Sequence, residues 1–549
     1  MKRKLIIIGL DGATFDVIDP MLEDGQLPSM ARLISGGVRA RLLSTIPYAT
    51  IPAWPSFVTG KNPGRHGVFD FFDLSGPKRR ISSSQDIDSP TLWQILSNEG
   101  KRCVVLNVPA TFPPAPINGV LVSGMLTPSD SRFASPPEMM DFLHRETDGY
   151  RVNIHSHLTD QSLVDDVHEV TEKQERAFLS LLSQQNWDFA MIMFRATDVI
   201  QHHFWDQQEI VRECYRRVDR SIGNILEAST GAATFLVSDH GLQGQYRDFH
   251  INKWLVDEGY MFIQRGRATD LSRWEHIRRL DGREELAESQ LRRSYAARLL
   301  LRMGITGHSV RRLLPRSWWR ALKKSVPRGL RNHVPASNDL IYDVNWDRTR
   351  ASAYQLYATE SKAIKIVNLD DDSRAELAAE LVDRLEQLRD PDTGTPIVRR
   401  AHRREDLYSG PHMHQAPDIV LDLHNGYNIT NAFFADDCVT PRDEVRGCHH
   451  REGIFVAFGD GVEREKSLVS APSLMDVMPT ALHYLGCAVP ADCDGRVLRE
   501  IFDRHSETAK RSTRYQDTEH SETHTGPHGD LSDKEEAEIE ERLRVLGYL

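Results

Sequence analysis

Six short apolar runs recur along the chain, at Lys4 to Gly9, Arg102 to Val108, Trp187 to Phe194, Thr234 to Ser238, Asp418 to Leu423 and Gly453 to Phe458. Each has the length and side-chain bias of a buried strand rather than a helix. Between them lie helical stretches, signalled by caps at Ser89-Pro90 and Ser135-Pro136 and by the periodic apolar positions from Leu377 to Leu388. Such alternation predicts an α/β fold with a largely parallel central sheet sandwiched by helices. Ligands of these sheets bind at the carboxyl ends of the strands, so polar residues just after an apolar run come first in a search for chemistry. Asp11 and Asp239 stand in that position.

The pattern changes from Met261 to Ala336, where the strand signal stops and 18 Lys plus Arg face 6 Asp plus Glu. Leu291, Tyr295, Leu299 and Met303 recur every four residues with arginines off that stripe, and Val310, Leu314 and Trp318 continue a similar spacing. The spacing predicts a basic helical insertion over 261–336 that divides a catalytic core of 1–260 and 337–503. Its plain reading is a cap on an acidic core; its sharper reading is attachment to an anionic membrane surface or a partner. Residues 504–530 are polar and poor in large apolar side chains, which predicts a flexible linker. Over 531–549, Ser532 with Glu535 makes a capping box and Ile539, Leu543 and Leu546 an apolar stripe. This terminal amphipathic helix is expected to dock on the body or on a second subunit of a homo-oligomer.

Composition narrows the class. A chain of 549 residues with 40% hydrophobic and 27% charged residues is globular, and its insertions are best read as additions to one core. The formal charge of −11 argues against general nucleic-acid binding, which draws on Lys and Arg. Six cysteines without a CxxC pair do not make a disulfide framework, so a reducing compartment is expected. The apolar run Leu5 to Ile8 is too short for a signal peptide, and no run is long enough to span a bilayer. The expected location is cytoplasmic.

Four stretches carry candidate chemistry. Asp11 ends an apolar strand at an Asp-Gly turn, where a carboxylate can face a cation, although such turns are often only turns. Thr50 precedes Ile51-Pro52, and proline suits the first turn of a helix. A phosphate at such an N-terminus meets free N–H groups and the helix dipole; the plainer role for Thr50 is a cap. Asp198 and His202 lie four apart, on one helical face, suited to share an ion or to make a surface pair. Asp239-His240 directly after the run from Phe235 is more telling, because an acid and an imidazole together at a buried strand end have little structural purpose. Three acids with histidines give the mixed oxygen and nitrogen donors that zinc-like ions accept, and a metal pair clamps a phosphoryl group.

Together with Thr59-Gly60-Lys61-Asn62-Pro63, His66-Gly67, Asp390-Pro391-Asp392-Thr393-Gly394, Ala416-Pro417-Asp418, Asp476-Val477-Met478-Pro479-Thr480 and Asp494-Gly495, these motifs resemble the alkaline phosphatase superfamily, on its type I phosphodiesterase and nucleotide pyrophosphatase branch. The resemblance runs from Lys4 to about Tyr260 and from about Tyr342 to Ile501. It implies an alkaline-phosphatase-like core in which Asp198, His202 and a late histidine hold one divalent ion, and Asp11, Asp239 and His240 a second beside Thr50. For the late ligand, Gly447-Cys448-His449 before the strand at Ile454 resembles the family's Gly-x-His, which favours His449 over His450. Zinc is the expected metal, with manganese and magnesium as alternatives. Thr50 would attack phosphorus to form a phosphothreonine, so the expected partner is a small phosphorylated substrate, a nucleotide or another phosphodiester. The same centre also suits a phosphomonoesterase or phosphotransferase, and the alternative of another class is a metal-stabilised, non-catalytic binding protein. One departure stands out: nucleotide pyrophosphatases commonly carry His-Gly-x-x-x-Asn, whose Asn donates to a phosphoryl oxygen, but here the last position is Phe71. Lys61 and Arg195 are candidate replacements, each with a plainer structural reading.

Overall fold

A computed structural model describes residues 3–73, 80–155, 160–265, 342–353, 362–430, 437–517 and 531–546. Its centre is a nine-stranded sheet. We number β1 (Leu5–Leu10), β2 (Val38–Leu43), β3 (Cys103–Leu106), β4 (Gly119–Val122), β5 (Ala134–Ser135), β6 (Phe189–Phe194), β7 (Ala233–Val237), β8 (Gly241–His250), β9 (Tyr427–Thr430), β10 (Val439–His450), β11 (Glu452–Phe458) and β12 (Lys466–Ser467). The central order is β12-β2-β11-β7-β1-β6-β3-β4-β5. β1 pairs in parallel with β6 and β7, and β3 with β4 and β6; β11 runs antiparallel between β2 and β7. The largely parallel sheet expected from the alternation is therefore present.

The unbroken apolar character of β1 has a simple cause. Ile6, Ile8 and Leu10 enter the core on one face of the sheet, and Leu5 and Ile7 enter the core on the other, so neither face offers a position to a polar side chain. The run at Asp418 to Leu423 forms a strand, Ile419–Leu423, but outside the central sheet. It belongs to a separate antiparallel sheet of Ala351–Ser352, Ala363–Ile366, Ile419–Leu423 and Val398–Arg403 with its own core. Two helix starts also shift. Thr91, not Ser89, caps the helix Leu92–Asn98 with Gln94, and Ser135 ends β5 while the helix that follows begins at Met139.

Of the expected basic insertion, Met261 is buried and Ile263–Arg265 pairs with Tyr342–Val344. The periodic positions from Leu291 to Trp318 lie outside the described residues. Residues 504–517, read as linker, instead carry a short helix at Glu507–Lys510 and a strand at Tyr515–Gln516 that pairs with Val489–Pro490. Small polar side chains suffice there because Ser506 caps the helix and Thr508 is buried against the body. Residues 518–530 lie outside the described set. Among the described residues no helix is long and apolar enough to cross a membrane.

Candidate metal centre and active site

The site forms where β1, β6 and β7 end. β1 delivers Asp11, whose N–H donates to Phe194 O at 2.9 Å. Gly12 follows with φ of 65°, and a Cβ there would lie 2.2 Å from Leu242 Cδ1, so both the turn and the close approach require glycine. β7 delivers Asp239 and His240, with Gly12 N donating to Asp239 Oδ1 at 3.4 Å. Helix α1 (Thr50–Thr59) and helix α2 (Ala196–Phe204) complete the frame. α2 is fastened to the β1 turn by Thr197 Oγ1 donating to Asp11 O at 2.5 Å and Gln201 Nε2 donating to Gly12 O at 3.0 Å.

His449 arrives from nearly the far end of the chain. β10 pairs antiparallel with β8, setting Leu242 opposite His449 and Gly241 opposite His450. Neighbouring residues of a strand face opposite ways. His449 accordingly turns to Asp198 and His202, whereas His450 Nδ1 accepts from Glu452 N at 3.3 Å.

Two clusters result. Asp198 Oδ1 lies 3.2 Å from His202 Nε2 and 3.4 Å from His449 Nε2, and those two nitrogens are 2.9 Å apart. His240 Nε2 lies 3.5 Å from Asp11 Oδ1 and 3.3 Å from Asp239 Oδ2. Among the described residues, the groupings compact enough for an ion are Asp198, His202 and His449, and Asp11, Asp198 and His240. Asp198 is thus within reach of both, a position that spacing along the chain could not reveal, and Asp239 joins the second through His240. The His240 and His449 rings stack at 3.8 Å and pack the two clusters together.

The donor chemistry fits divalent ions. His202 Nδ1 donates to Gly447 O at 3.0 Å and His240 Nδ1 to Gly241 O at 3.1 Å, which leaves both Nε2 lone pairs directed at the acids. Both carboxylate oxygens of Asp11 and Oδ2 of Asp239 are buried without a hydrogen-bond partner among the described residues. Burial and then mutual repulsion with Asp239 and Asp198 drive the Asp11 carboxyl well above the usual range. Asp239 moves the same way, through burial and then repulsion from Asp198. Burial pushes Asp198 up too, but His202 and His449 together outweigh it and hold Asp198 well below. His240 is lowered by burial and by His449. Three buried acids sharing one small volume need positive charge to stay ionised, and divalent cations provide it.

Thr50 Oγ1 lies 3.2 Å from His240 Nε2. The capping role falls to Ala49, in extended conformation and without a side-chain cap bond, so Thr50 is the first helical residue. It is fully buried with its hydroxyl turned to the second cluster. Other sequence candidates separate clearly. Lys61 is buried in an ion pair with Asp492 at 2.5 Å and serves structure. Phe71 is fully buried in the main apolar core and has no donor to offer. His66 is structural, its ring bonded to Ser56 Oγ at 2.8 Å and to Val68 N at 3.2 Å. Arg195 ends β6 beside Asp11, and its charge acts to lower the Asp11 pKa against the larger raising effects. Asn107, directly after β3, is a further buried polar residue at this edge. The rule that points to Asp11 points to Asn107 too once the apolar run is ended at Leu106, where β3 ends, rather than at Val108.

The type I phosphodiesterase/nucleotide pyrophosphatase family model matches residues 5–309. No curated protein sequence matches. Among solved structures, a phosphonoacetate hydrolase from Sinorhizobium meliloti 1021 in complex with phosphonoformate is similar at a TM-score of 0.51 and 14% identity, over 88% of this chain and 96% of that one. A murine ectonucleotide pyrophosphatase/phosphodiesterase 5 in complex with AMP gives a TM-score of 0.49 and 11% identity, over 91% of this chain and 100% of that one. At such identities the phosphonoacetate hydrolase speaks for the fold alone.

Proposed function

Because this chain belongs to the type I phosphodiesterase/nucleotide pyrophosphatase family, and so is a metal-dependent phosphoric ester hydrolase, we propose that it cleaves a small phosphodiester or nucleotide pyrophosphate with Thr50 as nucleophile at a pair of divalent ions, zinc by preference. The observation that carries the reading is the Thr50 hydroxyl, buried 3.2 Å from His240 Nε2 at the edge of two adjoining ligand clusters. Asp198, His202 and His449 would hold one ion, and Asp11, Asp239 and His240 the other, with Asp198 within reach of both. Bound there, the ions would lower the pKa of the Thr50 hydroxyl and offset charge on the phosphoryl oxygens.

The chain's own part is positional. Thr50 and Ile51 are the first two residues of α1, whose N–H groups the helix itself does not use and which would serve an incoming phosphoryl group. Thr50 Oγ forms the bond to phosphorus as the opposite P–O bond breaks, and the departing oxygen leaves as an alcohol or phosphate after taking up a proton. Water then cleaves the phosphothreonine and restores the Thr50 hydroxyl. Asp11, held by Phe194 O, and Asp198, held on a helix fastened by Thr197 and Gln201, keep the ligand geometry fixed through both displacements.

The test is turnover of bis(4-nitrophenyl) phosphate and 4-nitrophenyl phosphate with zinc, manganese and magnesium, with mass spectrometry of acid-quenched protein. The diester is expected to turn over faster and a phosphorylated peptide containing Thr50 to accumulate. Faster monoester turnover would replace the diester assignment with a phosphomonoesterase, and a phosphopeptide that persists in Thr50→Ala would remove Thr50 as nucleophile.

A further inference from the structure

The carboxyl edge of the central sheet carries more chemistry than the metal centre uses. From β7 through β1 and β6 to β3, adjacent strands are followed in turn by Asp239, Asp11, Arg195 and Asn107. The first two belong to the ligand clusters. Arg195 is 7% exposed and Asn107 3% exposed, so both are polar groups taken from water at the edge where this fold binds its ligands.

Asn107 has φ of 65°, a left-handed conformation that asparagine tolerates better than most residues. The Tyr150 hydroxyl donates to its Oδ1 and so fixes which way the amide lies. Nδ2 is buried with no hydrogen-bond partner among the described residues. A buried, oriented and unmet amide donor is costly unless something accepts from it.

The edge has a roof. The terminal helix α3 (Asp533–Val545) buries Ile539 and Leu543 in the same core that backs the site, with Leu546 just beyond its end. Its Arg542 donates to Thr127 O at 3.0 Å and Ser129 Oγ at 3.2 Å, in the loop after β4, and Glu538 accepts from Ser129 N at 3.2 Å. Arg542 lies close enough to Arg195 for the two charges to repel. Glu538 meets the Arg542 charge with an ion pair, so Arg542 serves here to hold the helix over this edge.

We propose that Arg195 and Asn107, roofed by the terminal helix and its Arg542, form a subsite for a second anionic oxygen group of the substrate, a further phosphoryl group or a carboxylate, beyond the phosphoryl group held at Thr50. It rests on the reading of Thr50 and its clusters as a phosphoryl-transfer centre. β3 and β1 are two strands apart, roughly 10 Å at ordinary strand spacing. A single phosphoryl group between the clusters does not span that distance, whereas a substrate with two anionic groups does.

The test is calorimetric titration of the zinc-loaded, full-length protein with methylphosphonate and with phosphonoacetate, which differ by one carboxylate. Phosphonoacetate is expected to bind about ten-fold tighter or more, the scale of one charged hydrogen bond. The ratio of the two affinities falls to about one in Arg195→Gln and in Asn107→Leu, and Arg195→Lys keeps part of it. Asn107→Asp, of the same shape, covers a failure of Asn107→Leu to fold and is expected to reverse the preference by repulsion. Equal affinities in the intact protein, or an undiminished ratio in the variants, would overturn the subsite. So would a changed zinc content in Arg195→Gln with the ratio intact, since Arg195 would then only offset Asp11. If methylphosphonate itself fails to bind, both the subsite and the phosphoryl-transfer reading fall.

Discussion

His449 Nε2 lies 2.9 Å from His202 Nε2, with Asp198 Oδ1 3.2 Å from one and 3.4 Å from the other. Two imidazole lone pairs at that separation repel unless a proton or a cation lies between them. Removing His449 should therefore strip an ion from the centre: His449→Ala is expected to weaken binding of one zinc by more than about 100-fold. His450→Ala should stay within about three-fold of the parent, because His450 is turned to Glu452 N on the other side of the ribbon. Competition with a chelator measures both, and the reverse order would move the ligand to His450.

Among the described residues, Asp198 alone stands in two clusters. It stands in both groupings compact enough for an ion, whereas Asp239 joins only the second. Asp198→Asn should lower the affinity for both ions, and Asp239→Asn for one. Metal content per chain after gel filtration distinguishes them, with fewer than one ion retained in the first variant and about one in the second. Equal losses would mean that Asp198 serves a single ion.

These two cases also show which part of the site the sequence carried. Asp11 and Asp239 were legible because they end apolar runs, and Asp198 with His202 because four residues make one helical turn. The shared reach of Asp198 was not legible, since it arises from the packing of α2 against the turn at Gly12. His449 needed the family pattern, because the β8–β10 pairing that aims it joins residues roughly two hundred positions apart. The run at Asp418 forms the strand its pattern predicts but in the separate sheet, since strand patterning says nothing of which sheet receives it. Asn107 is hidden in the sequence inside an apolar run drawn through to Val108, and its unmet amide exists only once Tyr150 is in place.

Phe71 occupies a position where nucleotide pyrophosphatases commonly have asparagine, and here it is fully buried in the main core. Restoring the family residue should not restore a donor to the site. Phe71→Asn removes a large apolar side chain and buries an amide, which costs about 3–5 kcal/mol. Denaturant unfolding is expected to show that loss, with no gain in diester turnover by the fraction that remains folded. A gain in kcat/KM for the diester would show that the position still faces the substrate.

His66 supplies a pH test independent of the metal ligands. Burial, with smaller contributions from His412 and Lys61, lowers its pKa to about 3 from an ordinary 6.5. In the folded chain the neutral ring stays bonded to Ser56 Oγ and Val68 N, while in the unfolded chain it takes a proton below about pH 6.5. The unfolded state therefore binds more protons between those limits. Stability from this group is full above pH 6.5 and is lost as pH falls towards 3, by up to about 1.4 kcal/mol per pH unit. Stability measured by denaturant unfolding between pH 7 and pH 5 should fall less steeply in His66→Gln than in the parent, although the variant is less stable at pH 7. Equal slopes in the two proteins would show that His66 titrates normally when folded.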